Sequence, residues 1–307
     1  MKKNLGWTAK EYATVAGFTS DWRDLWWHQD YLELLAKRWK LRERETLLDV
    51  GCGAGHWGQR LATLMQAPDV VGIDHEPGFL DAARARAKSR PGTFAYQEGS
   101  VLALPFEDNR FDVVTCQTVM IHVADARAAL REMIRVTKPG GIVICAEPNN
   151  LTNSLVNQVG LPEADFAETL RILAFDHACV RGKRALGQGD AQVGERLGAL
   201  FLEEGLTDLT ISTNDRCAWL VPPYATAAEQ SHIEFVRKYA ELDVARFGDK
   251  EKTRTLYEAG EGADEFDEVW SLILKRQRQL IVDVDAGRYI WGGGFVMYAA
   301  SGTKPST

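Results

Sequence analysis

The sequence predicts an α/β fold built on a doubly wound, mostly parallel sheet, and three observations predict it. From Thr46 onward, short apolar runs rich in β-branched residues alternate with helical stretches, the pattern of strands buried on both faces and joined by crossover helices. A glycine-dense turn, Gly51-Cys52-Gly53-Ala54-Gly55, lies directly between the first run and the first of these helices. An acidic residue, Asp74, closes the second run, about twenty residues further on, the separation at which a carboxylate meets a ribose in doubly wound sheets.

The elements follow in order. In the Trp-rich N-terminal segment, Trp27, Tyr31, Leu34 and Leu35 recur at helical spacing with Arg23, Asp24, Glu33 and Lys37 between them, so residues 1–45 read as a helical segment or lid leading into the domain. Strands are predicted at 47–50, 70–73, 111–116 and 142–146, with helices over 58–65, 77–87 and 124–136; such alternation gives right-handed crossovers. Arg131 and Arg135 suit the C-terminal half of the third helix because cations oppose its dipole, and Lys138-Pro139-Gly140-Gly141 ends it. A less regular stretch to about Asp190 precedes a helix with Leu197, Leu200 and Phe201 and a strand near 209–212. Residues 222–288 read as mainly helical, with Ile233, Val236, Ala240, Val244 and Phe247 on one face and Phe266, Val269, Trp270, Ile273 and Leu280 on another. Between these faces, 257–264 reads as a flexible acidic connector, and 294–300 as a closing edge strand. The expected organisation is the N-terminal segment 1–45, a core of 46–215 plus 289–302, and a helical insertion, 216–288, capping an acceptor.

Composition narrows the function. With 36 Lys and Arg against 43 Asp and Glu, the net charge of −7 supplies no broad basic field for nucleic acid or anionic lipid. No uncharged run is long enough to span a bilayer and no apolar signal core follows Met1, so a cytoplasmic protein is expected. Cys52, Cys116, Cys145, Cys179 and Cys217 form no CxxC pair, which argues against a zinc site or a disulfide framework, and no metal is expected. Oligomeric state stays open, a homodimer included.

The glycine turn also discriminates among ligands. Glycine takes positive φ cheaply and removes the Cβ that would keep a ligand off the backbone. A dinucleotide fingerprint, G-x-G-x-x-G, would place its third glycine where this sequence has His56. The loop therefore suits a nucleoside with a short charged tail better than a pyrophosphate.

On these residues the chain resembles the class I S-adenosylmethionine-dependent methyltransferases, particularly the small-molecule and ubiquinone-biosynthesis-like group. The resemblance runs from about Leu47 to Asn149. It covers the loop Leu48-Asp49-Val50-Gly51-Cys52-Gly53-Ala54-Gly55, Asp74, Leu104-Pro105-Phe106 with Phe111-Asp112-Val113-Val114, and Arg135-Val136-Thr137-Lys138-Pro139-Gly140-Gly141. It implies a Rossmann-like, seven-stranded sheet with the cofactor, S-adenosylmethionine, laid over the carboxyl ends of its strands and S-adenosylhomocysteine as product. The implied cofactor-binding residues are Asp49, Gly51, Cys52, Gly53, Gly55, Trp57, Asp74 at the ribose, Ser100, Val101 and Gln117. Where many relatives carry an Asp at the adenine amino group, this chain has Ser100, whose hydroxyl can also accept a hydrogen bond.

Methyl transfer from a sulfonium is an in-line displacement with an activated leaving group, so the protein mainly supplies positioning and a dry site. A base helps where the acceptor must lose a proton, and His122, just beyond the fourth strand, is the expected base or orienting group. The expected acceptor is a small organic molecule. Tyr12, Trp22, Glu147, His177, Trp219 and Tyr224 are its expected neighbours, since specificity comes from parts outside the common core. Methylation of RNA or protein, and a non-catalytic cofactor-binding protein, are the alternative readings. The end of the fourth strand, Gln117-Thr118-Val119, lacks the Asn-Pro-Pro-Tyr-like signature of nucleic-acid amine methyltransferases.

Overall fold

The computed structural model describes residues 23, 26–66, 68–159 and 165–306. In chain order the strands are β1 (Thr46–Val50), β2 (Asp69–Asp74), β3 (Thr93–Glu98), β4 (Phe111–Gln117), β5 (Thr137–Pro148), β6 (Thr207–Thr213), β7 (Cys217–Leu220), β8 (Trp291–Gly294) and β9 (Met297–Thr303). The helices are α1 (Gln29–Arg38), α2 (His56–Ala62), α3 (Pro77–Ala87), α4 (Ala126–Val136), α5 (Asn150–Val159), α6 (Phe166–Ala185), α7 (Leu197–Glu203), α8 (Ala227–Glu241), α9 (Lys250–Ala259) and α10 (Phe266–Asp285). They fall into two compact units. Of the described residues, one comprises 26–66, 68–149, 192–215 and 297–306; the other comprises 23, 150–159, 165–191 and 216–296.

The first unit is a seven-stranded sheet in the order β3-β2-β1-β4-β5-β9-β6 with flanking helices. Strands β1 to β5 run parallel, and β9 runs antiparallel to both β5 and β6. The mostly parallel doubly wound sheet is thus the one the sequence predicts. Its core joins Leu48, Val50, Ile73, Val114, Val143 and Ala300 from the strands to Leu130, Met133, Leu197 and Phe201 from the helices.

Three differences from the sequence reading have physical causes. The closing strand starts at Met297 and lies inside the sheet, with β6 outermost; small buried residues, Ala299, Ala300 and Ser301, let it fit between two neighbours. Strand β3 escaped notice because its residues are largely exposed and carry no apolar run. Leu34, expected on the buried face of α1, is 42% exposed, and Leu32, Leu35 and Ala36 face inward instead.

The second unit holds helices α5, α6, α8, α9 and α10 and the two-stranded β7–β8 sheet. Segment 150–191, placed with the core by the sequence reading, joins this helical unit. There α6 is a regular twenty-residue helix. It packs against α5, α9 and α10, so its buried residues, Ile172, Phe175, Asp176, Cys179 and Val180 among them, occupy more than one face and leave no amphipathic stripe to read. The supposed connector 257–264 begins inside α9, and Tyr257 is buried in an aromatic cluster with Phe175 and Phe266. No helix among the described residues is long and apolar enough to cross a membrane.

Candidate functional site

Chain order reverses between β1 and β4: from β1 the chain moves outward through β2 and β3, then returns to place β4 on the other side. Ligands of open α/β sheets bind at such a switch point, outside the carboxyl ends of the strands. The glycine loop lies there. Gly51, Gly53 and Gly55 have φ of 64°, 52° and 80°, a region that glycine enters without the Cβ penalty. A Cβ on Gly51 would lie 2.5 Å from Val119 Cγ2, and one on Gly55 2.5 Å from Gln59 Nε2.

Carboxylates at the ends of three strands hold this edge through backbone amides. From β1, Asp49 Oδ2 accepts the Gly58 N–H at 2.9 Å, which ties the strand to α2. Its carboxyl is buried and pushed up to about 7; burial is the main cause, opposed by the Gly58 amide and reinforced by the Asp74 charge. From β2, Asp74 Oδ2 accepts the Gly53 N–H at 2.9 Å and Oδ1 the Glu76 N–H at 3.0 Å. Each carboxylate oxygen retains a second lone pair, so Asp74 can accept further donors from a ligand. From β5, Glu147 Oε1 accepts the Val119 and Met120 N–H groups at 2.8 and 2.9 Å, and Oε2 that of Ile121 at 3.3 Å. Glu147 is fully buried, and burial pushes its carboxyl up to about 7 against the pull of those amides.

Beyond β4 the backbone turns sharply at Thr118, which has a φ of 55° and donates its N–H to Ala146 O at 2.9 Å. A short 3-10 turn, Met120–His122, follows and presents an exposed His122. Extending the β1–β4 register, in which Asp49 lies opposite Thr115, by two residues brings Gln117 level with Gly51. Gln117 is 7% exposed, and its Nε2 is buried with no hydrogen-bond partner among the described residues. An unmade bond at a buried donor is costly, so this amide suits a ligand bearing an acceptor oxygen.

The expected site residues divide on this geometry. The structure brings Asp49, Gly51, Cys52, Gly53, Gly55, Asp74 and Gln117 to one edge. Cys52 contributes through its backbone, which donates to Ile73 O at 2.8 Å, and burial pushes its thiol well up. Ser100 is exposed and its hydroxyl accepts the Leu102 N–H at 3.2 Å, while Val101 packs partly buried against the core. Three expectations are corrected. Trp57 turns its indole into the core, donating from Nε1 to Thr115 Oγ1 at 2.7 Å, because the first turn of α2 packs directly on the sheet. Glu147 faces backbone amides rather than an acceptor, since a fully buried carboxylate needs those donors. Tyr224 is buried in the helical unit with its hydroxyl donating to Tyr289 O at 2.8 Å. His177 on α6 and Trp219 on β7 are exposed within that unit, Trp219 at 67%. Tyr12 and Trp22 lie outside the described residues.

One pairing was missed by sequence reading. His28 Nδ1 lies 2.8 Å from Asp215 Oδ2, and the His28 backbone N–H donates to Asp215 Oδ1 at 3.2 Å. Nothing in the sequence links two residues 187 positions apart; only the seating of α1 against the end of β6 joins them.

Known proteins give the arrangement a context. A family profile described as "Methyltransferase domain" matches residues 48–145. A demethylmenaquinone methyltransferase of Oceanobacillus iheyensis is 33% identical over 144 residues, 46% of this chain and 59% of that protein. The chain spans about half the length of the curated relatives it matches. Among solved structures, the YcgJ protein of Bacillus subtilis superposes with a TM-score of 0.50 at 18% identity, covering 91% of this chain and 100% of that one. The [4+2]-cyclase SpnF does so with a TM-score of 0.50 at 18% identity, covering 97% and 95%. These two likenesses concern the fold alone.

Proposed function

We propose that this protein, whose residues 48–145 belong to the class I S-adenosylmethionine-dependent methyltransferases, transfers a methyl group from S-adenosylmethionine to a small organic molecule. The observation carrying the proposal is the loop of three positive-φ glycines whose central amide, that of Gly53, is held by Asp74 at the end of the next strand. The residues fit such a cofactor. A Cβ at Gly51 would collide with Val119 and one at Gly55 with Gln59, so glycine is what lets the loop keep the tight backbone turn a ligand would approach, and the buried Gln117 amide lacks an acceptor among the described residues.

In this reading the glycine backbone takes the amino-acid portion of the cofactor, Asp74 its ribose hydroxyls, and the segment around Ser100 and Val101 its base. When bound, the cofactor supplies an electrophilic methyl group on a sulfonium. The chain's own work is to orient the acceptor in line with that group and to exclude water. Glu147 holds the turn that presents His122, which orients the acceptor. Relatives named demethylmenaquinone methyltransferases favour an acceptor of the quinol or phenol kind.

Calorimetry with S-adenosylhomocysteine tests the cofactor assignment, and labelled methyl transfer over a panel of phenols, hydroquinones and amines tests the acceptor class. Micromolar binding and a labelled small-molecule product are expected. No measurable affinity for S-adenosylhomocysteine would remove the assignment.

A further inference from the structure

We propose that His28 and Asp215 form a base dyad that takes the hydroxyl proton of a phenol- or hydroquinone-type methyl acceptor; the inference rests on the methyl-transfer reading above. Three observations carry it.

The first is the pairing itself. Asp215 grips both the Nδ1 and the backbone N–H of His28, which fixes the orientation of the ring. A carboxylate only accepts, so Nδ1 carries the proton and the neutral ring keeps its lone pair on Nε2. A carboxylate that orients an imidazole and stabilises it once protonated is the arrangement a general base needs.

The second is exposure. The His28 side chain is 52% exposed while Asp215 is 23% exposed, so the orienting group is sheltered and the proton-accepting group is open.

The third is place. Strand β6 is antiparallel to β9, and β9 to β5, so β6 points the same way as β1, β2, β4 and β5. Asp215, two residues past the end of β6, therefore lies on the edge that carries the glycine loop. The other side of the dyad arrives there independently. Trp27 packs on Trp57, in the first turn after that loop, with ring centroids 5.8 Å apart, and Trp27 O accepts from Arg60 Nη2 at 2.9 Å. Asn214 completes the frame: its side chain donates to Trp26 O at 3.2 Å and accepts the Met297 N–H at 2.9 Å.

The step balances. The O–H proton moves to His28 Nε2, the acceptor oxygen uses the released pair to bond the methyl carbon as the methyl–sulfur bond breaks, and His28 then gives its proton to water.

The test uses the full chain at about pH 8 with labelled S-adenosylmethionine and two probes, 4-methylphenol, which must lose its proton, and 4-nitrophenol, which is already largely ionised at that pH. Calorimetry with S-adenosylhomocysteine runs alongside. For His28→Asn and Asp215→Asn, kcat on 4-methylphenol is expected to fall about 100-fold, with 4-nitrophenol turnover and S-adenosylhomocysteine affinity changed by less than about threefold. Equal loss on both probes, no loss on either, or cofactor binding by the wild type without turnover of either phenol overturns the dyad as a base. Should His28→Asn and His28→Gln both melt early and lose cofactor affinity, the pair is a structural tie and the proposal falls. A wild-type chain that does not bind S-adenosylhomocysteine defeats the methyl-transfer reading itself, a different failure.

Discussion

Asp74 accepts one N–H from the glycine loop and one from the turn that follows β2; it braces the loop, and the lone pair left on each oxygen lets it accept from a ligand as well. Replacing it removes both functions at once. Asp74→Ala is expected to weaken S-adenosylhomocysteine binding at least about tenfold, the scale of one hydrogen bond to a charged group, measured by calorimetry on a variant that still unfolds cooperatively. Glu147 invites a test of sign. Its carboxyl is raised in the folded state, so the folded chain holds that proton more tightly than the unfolded chain does. The stability it contributes is complete below the ordinary glutamate range and is lost as pH rises through about 7. Glu147→Gln stays neutral and escapes that loss, so the stability advantage of the wild type should shrink between about pH 5 and about pH 8. Urea midpoints of the two proteins at both pH values decide it, and a gap that widens with pH would mean the three amides outweigh burial. Asp74 was legible in the sequence because a strand end and a glycine loop fix where such a residue must stand. Glu147's partners were not, because a carboxylate after a strand looks the same whether it faces a ligand or the amides of a neighbouring turn.

Elements with a single environment were the readable ones. Helix α3 runs over the predicted 77–87, and β1, β2 and β4 lie where continuous apolar runs put them, whereas β5 starts at Thr137 and takes in 138–141, which the sequence reads as a turn ahead of the apolar run. Helix α6 and strand β3 were hidden for opposite reasons: α6 is buried on several faces and β3 on hardly any. A propensity argument can even reverse its sign at the junction of β1 and α2. Gly58 lies inside α2, where Gly to Ala is favourable by about 1 kcal/mol on helix propensity alone. Yet a Cβ at that position would sit 2.6 Å from Asp49 Oδ2 and 2.8 Å from Asp49 Cβ. Both atoms are buried, and Asp49 is already fixed by the Gly58 amide, so there is little room to give. Gly58→Ala is therefore expected to lower stability, seen as a reduced urea midpoint with an unchanged slope, and a midpoint at or above wild type would refute the crowding.

At the scale of the molecule, every residue placed at the cofactor edge belongs to the sheet unit, although that unit is assembled from three separate stretches of chain. The interruptions are closed at their ends. Asn149 Nδ2 donates to Glu195 Oε2 at 2.7 Å, so the chain leaves the sheet unit after β5 close to where it returns. At the second interruption the Asn214 N–H donates to Met297 O at 2.9 Å, and Asn214 Oδ1 accepts the Met297 N–H at 2.9 Å. A short turn can span each gap without moving a strand, and loop closure of a few residues costs little. A chain lacking both 150–191 and 216–296, with a glycine-containing link at each join, is expected to unfold cooperatively and to bind S-adenosylhomocysteine within about tenfold of the full protein, a difference of about 1.4 kcal/mol. Acceptor turnover is a second readout: Trp219 and His177, expected beside the acceptor from the sequence alone, leave with the removed stretches, and a larger fall in turnover than in affinity would support that expectation. If the shortened chain unfolds cooperatively but no longer binds S-adenosylhomocysteine, the sheet unit does not hold the cofactor by itself and the assignment of the cofactor edge to that unit alone is mistaken.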